Sequence, residues 1–375
     1  MAVNKLEADS ITQTSEFVDC LCIGTSIIAS LEACYQSQLG KNVLMIDRDD
    51  SFGGAWKTVE IGGIKDVENA IHYFLPDNKG LDYLRNVLNW PIEVSKGKYR
   101  YFNVFGNTYI KFSYRSPIGR FIYKFFYSKR PPGLLGAVFH LIRSVKLVLG
   151  ELGERSYYVS KGSAFMLESV KTMLHKHEVE IRLNSNITNL FFDMANKTVH
   201  CSIGDQIIIA KSLILGHGAR LPKIESSNGH FEVRESFNPR PAFHLVVSDD
   251  KKNEAVEVII TADPVIKYVH DISRFSSLGQ DNTENKKVFV FALQSDVKND
   301  RDLSATLLKT LKDLGVIGSR AEIISSLYSD IILPTLSDQD LYLLKAEFGD
   351  LVNILRTENF AAGVGYYSDI WGAIK

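Results

Sequence analysis

Three small residues and one acid carry the most specific chemistry in this chain. Gly24, Ser26 and Ala29 are spaced G-x-S-x-x-A between an apolar run at 17–23 and a helical stretch at 27–39. A residue without a β-carbon lets the chain leave a strand and enter a helix within a few residues. The helix N-terminus then offers free N–H groups and the positive end of a dipole, a natural seat for a pyrophosphate. Asp47 ends the second apolar run, Val43–Ile46, 23 residues after Gly24. A carboxylate there accepts hydrogen bonds from the hydroxyls of an adenosine ribose and repels a 2′-phosphate. The set predicts a βαβ unit for a dinucleotide lacking that phosphate. Ser26 departs from the usual second glycine and puts a side chain where backbone would approach phosphate.

The run that begins at Asp47 is more specific than any single motif. Asp47 and Arg48 lead through a spacer to Gly53, Gly54, Ala55 and Trp56. This run resembles the acid, basic residue, spacer and paired glycines of the FAD superfamily that includes amine oxidases, phytoene desaturases, UDP-galactopyranose mutases and the Rab GDP-dissociation inhibitors. The resemblance implies that Asp47 binds the ribose and that the chain passes close to FAD at Arg48 and from Gly53 to Trp56. It implies noncovalent FAD, since no Cys or His lies in a recognisable attachment motif. Later segments fit in family order. Residues 158–163 resemble the entry to a helix at 165–175, followed by strands at 180–183 and 186–191, with Ile187 touching the adenine side through its backbone. Residues 211–215 and Gly216 resemble the strand and turn that rejoin the cofactor sheet. Residues 359–363 resemble the last strand, with Gly363 at the cofactor, and 370–374 the opening of the closing helix. Two departures stand out: Val364 follows Gly363 where the family has an acid, and the sequence ends at Lys375 where that helix is expected to begin.

His72, in the run 68–74, is similar to the histidine of a mutase-like G-A-H-x-F segment, and Tyr366 and Tyr367 with Asp369 are similar to the mutase C-terminus. His72, Tyr366 and Tyr367 are the substrate-binding candidates, and His72 is the candidate catalytic residue; a structural histidine bonded to backbone is the competing reading. Cys20, Cys22, Cys34 and Cys201 have no metal-ligand spacing, so they read as buried free thiols of a reducing cytosol, and no metal site is expected.

The positioning elements define an α/β fold: a Rossmann-type FAD-binding domain with an inserted α+β substrate domain, a mixed sheet plus a helical subdomain. The expected division is 17–70, 156–220 and 341–375 for the cofactor domain, 71–155 for a helical basic and aromatic subdomain, and 221–340 for the substrate domain. Strands are predicted at 242–247, 256–261, 266–270 and 288–293, helices at 302–314 and 321–326, and a loop at 280–287.

The chain has 375 residues, with 43 Lys and Arg against 44 Asp and Glu, so the whole molecule has no bulk attraction to polyanions. No apolar run is long enough to span a bilayer, and the polar first sixteen residues show no secretory signal. A cytoplasmic protein is expected, with one region suited to a membrane periphery. Residues 94–150 contain eleven Lys and Arg and no Asp or Glu, with aromatics interleaved. Three readings stay open: solvated cations over an aromatic core, a patch for an anionic membrane surface, or a cationic cleft for a phosphorylated or apolar small-molecule substrate. No nucleic-acid module pattern accompanies the patch, so nucleic acid is not an expected partner. The leading function is an FAD-dependent oxidoreductase acting on an organic substrate. The alternatives are a flavin-dependent nucleotide-sugar enzyme of mutase type and a non-catalytic binding protein on the same fold, like the GDP-dissociation inhibitors.

Overall fold

The computed structural model describes residues 14–69, 72–74, 77–94, 98–103, 109–112, 157–216, 221, 223–227, 229–231, 235–249, 257–261, 263–278, 285–336, 338–355, 360–372 and 374. The chain divides into two units. The first comprises Met1–Phe52, Thr172–Ser236 and Pro334–Arg356; the second comprises Gly53–Lys171, Phe237–Leu333 and Thr357–Lys375.

The first unit is built on one sheet. Its central strand, Thr14–Ile23, pairs in parallel with Gln206–Leu215 on one side and with Val43–Ile46 on the other. Glu180–Arg182 extends the sheet beyond Val43–Ile46. On the far side of Gln206–Leu215 the order continues through Thr198–Ile203, Ile187–Asp193, Lys223–Ser226 and Gly229–Phe231. Val352–Ile354 pairs in parallel with the C-terminal end of Gln206–Leu215. The apolar runs are fully buried at Leu21, Leu44 and Leu213, as strands covered on both faces must be. The helix Asp338–Phe348 covers one face, where Phe348 stacks on Phe192 at 3.8 Å between ring centroids. Truncating either ring to alanine costs about 3–5 kcal/mol.

The second unit holds a seven-stranded sheet in the order Glu322–Leu336, Glu235–Ser248, Lys286–Leu293, Ile266–Asp271, Glu257–Thr261, Lys98–Asn103 and Tyr109–Phe112. The helix Leu303–Asp313 seals one face through Leu303, Leu307 and Leu311. Together the two sheets and their helices form the expected mixed α/β architecture. Among the described residues, no helix is long and apolar enough to cross a membrane.

Several elements correct the sequence expectations. Residues 321–326, expected to be helical, begin the strand Glu322–Leu336; consecutive Ile323 and Ile324 beside two serines favour the pleated state over a helix. Residues 98–103 and 109–112, expected within a helical subdomain, are strands, and their run of Tyr and Phe has the same preference. Among the described residues the last strand is Val352–Ile354, and 360–363 lie in a helix. Residues 360–371 form the C-terminal helix Phe360–Trp371, which ends at Gly372 with φ 55°. The expected order of strand then helix is right, but it falls one element earlier in the chain. Gly363 consequently lies buried inside a helix and not at a strand end. The acid-free stretch 94–150 falls largely outside the described residues, and so does the loop tip at 280–284.

Candidate functional site

The first cluster forms where the central strand of the first unit runs out. Gly24 has φ 95°, a left-handed conformation in which a side chain would be strained. A β-carbon built there would meet nothing within 4 Å, so the space over the turn is open. The Gly24 N–H donates to the Ile46 carbonyl at 2.8 Å, which fixes the turn against the second strand. Ser26 is the N-cap of the helix Ile27–Gln38, and its Oγ accepts from the Ala29 N–H at 3.3 Å. The first turn of that helix contains no acid. Ala29 is fully buried, and Gly216 comes up beside it and Ser26.

Asp47 sits next to this turn. Its Oδ2 accepts from the Thr25 N–H at 2.9 Å and the Thr25 hydroxyl at 2.7 Å, and its Oδ1 accepts from the Asp49 N–H at 3.1 Å. A carboxylate offers about four lone-pair sites. Three are taken up among the described residues, which leaves one acceptor position for a ligand hydroxyl. Arg48 is partly exposed and pairs with Asp49 at 3.5 Å, a surface contact of small energetic weight. Ile187 starts its strand and packs at the margin of the core. The residues fit the adenosine and pyrophosphate end of a dinucleotide: an open turn, a helix N-terminus and an anchored carboxylate with one acceptor position to spare.

The other predicted residues belong to the second unit. Gly53 and Gly54 are both left-handed, at φ 115° and 56°. A β-carbon at Gly53 would collide with the end of the Leu167 side chain, so this glycine serves a close packing as well as a turn. Ala55 and Trp56 complete the short helix Gly54–Trp56. Trp56 stacks on His72 with ring centroids 4.1 Å apart and 17° between planes, and Phe74 and Phe360 lie at 6.0 and 4.9 Å from its ring. His72 Nδ1 is 3.3 Å from Ser163 Oγ and 3.7 Å from Glu68 Oε2. Glu68 and Ser163 are buried. His244, also buried, holds Glu68 from behind by donating from Nε2 to its backbone carbonyl at 2.9 Å, and burial lowers the basicity of its ring. Tyr366 and Tyr367 meet edge to face with ring centroids 5.0 Å apart; Tyr366 is 63% exposed, whereas Tyr367 is buried and also stacks on Trp371.

Sequence reasoning finds His72 and Trp56 but misses Thr25, Glu68 and Ser163. Glu68 lies four residues before His72, a spacing that could have flagged it. Ser163 at the start of the helix Gly162–Lys176 gives no such signal. All four cysteines are buried and free, and burial pushes the Cys34 and Cys201 thiols up to about 12. Nucleophilic thiolate chemistry at neutral pH therefore has no support among them. No group of three or more His, Cys, Asp or Glu side chains suited to a metal ion occurs among the described residues.

The sequence matches no family model and no curated protein. Its fold does match solved structures. A double mutant of putrescine oxidase aligns over 96% of this chain and 99% of its own, at 12% identity and a TM-score of 0.65. A reduced UDP-galactopyranose mutase aligns over 95% and 93%, at 12% identity and a TM-score of 0.66. The Rab GDI of Plasmodium falciparum aligns over 96% and 99%, at 14% identity and a TM-score of 0.54. The chain therefore has the fold of these structures. At these identities the likeness defines the scaffold alone, one shared by putrescine oxidase, UDP-galactopyranose mutase and a Rab GDI.

Proposed function

We propose that this protein is an FAD-dependent oxidoreductase that acts on an organic small molecule and binds its cofactor noncovalently. The observation that carries the reading is the turn at Gly24: left-handed, open above, at a helix N-terminus and tied through Thr25 to the Asp47 carboxylate. Bound FAD would supply two-electron redox chemistry. The protein's own part is to hold it. The Gly24 turn and the first turn of the helix Ile27–Gln38 would receive the pyrophosphate. Asp47 would accept one ribose hydroxyl and, by its charge, reject a 2′-phosphate.

Titration of the purified protein with FAD, followed by flavin fluorescence and absorbance, tests this. Saturable binding at micromolar concentration or tighter is expected, with intact FAD released on denaturation. A protein that neither carries nor takes up FAD under these conditions is not a flavoenzyme.

A second reading is favoured by a specific observation. The Thr25 amide and hydroxyl already occupy Asp47 Oδ2, and Ser26 Oγ already caps the Ala29 amide, so the turn satisfies part of its own hydrogen bonding. A scaffold with a self-satisfied turn suits a non-catalytic binding protein, the class of the Rab GDI that shares this fold. Failure of the FAD titration selects this reading.

A further inference from the structure

The cluster around His72 assigns its protons. Ser163 offers one hydroxyl hydrogen and has two candidate acceptors, Glu68 Oε1 at 2.8 Å and His72 Nδ1 at 3.3 Å. The carboxylate oxygen is both nearer and the stronger acceptor. The same Oε1 also accepts from the Ser163 N–H at 3.0 Å, so the carboxylate spans the start of the helix Gly162–Lys176 and is favoured there by the helix dipole. With its hydrogen committed to Glu68, Ser163 Oγ can only accept from the ring. The second nearby atom, Glu68 Oε2 at 3.7 Å from Nδ1, is also an acceptor. A bare lone pair on Nδ1 would face two oxygens; a proton there donates to Ser163 Oγ and lies beside the Glu68 carboxylate.

We propose that Glu68 and Ser163 hold His72 as the Nδ1–H tautomer, so that Nε2 is the basic nitrogen of this site. Ser163 and Glu68 are then positioning residues. Trp56 fixes the ring plane by stacking and presents a π-face to the imidazolium that forms when Nε2 takes up a proton. The negative charge of Glu68 balances that imidazolium. The ligand chemistry that fits Nε2 is a hydrogen-bond donor, a hydroxyl or an amine N–H. If the proton transfers, the O–H or N–H bond breaks with its electron pair left on the ligand, and the Nε2–H bond forms. The geometry lies wholly within the second unit and stands independently of the flavin reading.

The test is nitrogen-15 NMR of the full-length protein labelled at histidine, with His72 assigned by the signals lost in His72→Gln. Spectra are recorded at a pH where the free imidazole is neutral. The expected wild-type pattern is a protonated Nδ1 and a bare Nε2 for His72. In Ser163→Ala and in Glu68→Gln the Nε2 signal should move toward the tautomer average, and Ser163→Thr, which keeps the hydroxyl, should restore the wild-type position. A wild-type His72 protonated at Nε2 overturns the proposal without any variant being needed. Signals unmoved in folded Ser163→Ala, checked by circular dichroism, overturn the role of the serine. FAD uptake is measured on the same samples, and its failure bears on the flavin reading alone.

Discussion

At the scale of single residues, Asp47 does two jobs at once. It pins the Gly24 turn through Thr25 and keeps one acceptor position for a ligand. These jobs separate by mutation. Asp47→Ala removes both, and since a hydrogen bond to a charged group is worth about 1.5–3 kcal/mol, FAD binding should weaken at least about tenfold. Thr25→Val removes only the hydroxyl donor and keeps the amide and the side-chain shape, so its FAD affinity should stay within about threefold of wild type. Fluorescence titration of both variants decides the matter. If Thr25→Val is as damaging as Asp47→Ala, the carboxylate works by holding the turn and not by meeting ribose. Gly24 and Asp47 are legible in the sequence because a short-range spacing encodes them. Thr25 reads only as filler of the turn, and Ser163 reaches Glu68 from 95 positions away, a pairing that no local pattern announces.

At the scale of elements, the helices Asn78–Asn86 and Phe360–Trp371 show what glycine contributes when it is not in a turn. A β-carbon on Gly80 would strike the Ala361 carbonyl oxygen, and one on Gly365 would strike the Asp77 carboxylate that caps the first of these helices. The backbones approach closely only because both positions are bare. Helix propensity alone says that Gly80→Ala should stabilise by up to about 1 kcal/mol. The packing says the reverse, since overfilling a close contact costs about 1–3 kcal/mol. Gly80→Ala should therefore lower the urea midpoint. Lys79→Ala, which breaks only the exposed Lys79–Asp369 pair, should leave it nearly unchanged. A raised midpoint in Gly80→Ala would show that the helices separate freely. The small-residue run 361–365 is also where sequence reasoning goes astray. Ala-Ala-Gly-Val-Gly resembles a strand and turn in isolation, and only the partner helix explains why it coils. The β-branched pair Val352 and Ile354 beside Leu351 carries the true strand signal.

At the scale of the molecule, the two units carry different acid sensitivities, because different groups are perturbed in each. In the first unit Arg182 reaches Glu16 with two bonds, at 2.6 and 2.7 Å, and this contact holds the Glu16 carboxyl below its ordinary value. A depressed carboxylate stabilises the fold above the unfolded pKa of about 4.3 and loses that contribution as pH falls through the folded value. In the second unit burial keeps the His244 ring neutral, below its ordinary basicity. The unfolded chain takes up a proton at about pH 6.5 while the native ring resists it, so stability is full above that pH and falls as pH drops below it. Asp271 opposes this trend: burial raises its carboxyl, and its contribution is full below the unfolded pKa and fades as pH rises through the folded one. The clean comparison is therefore between wild type and His244→Gln at each pH, not between pH values alone. Hydrogen exchange read by mass spectrometry separates the units, using peptides from Lys286–Leu293 for the second and Gln206–Leu215 for the first. From pH 7 to about 5, opening free energies corrected for intrinsic exchange should fall in the second unit and hold in the first, and His244→Gln should flatten the fall. A second-unit slope unchanged in that variant would assign the acid response to another group. Equal slopes in both units would mean that they unfold as one.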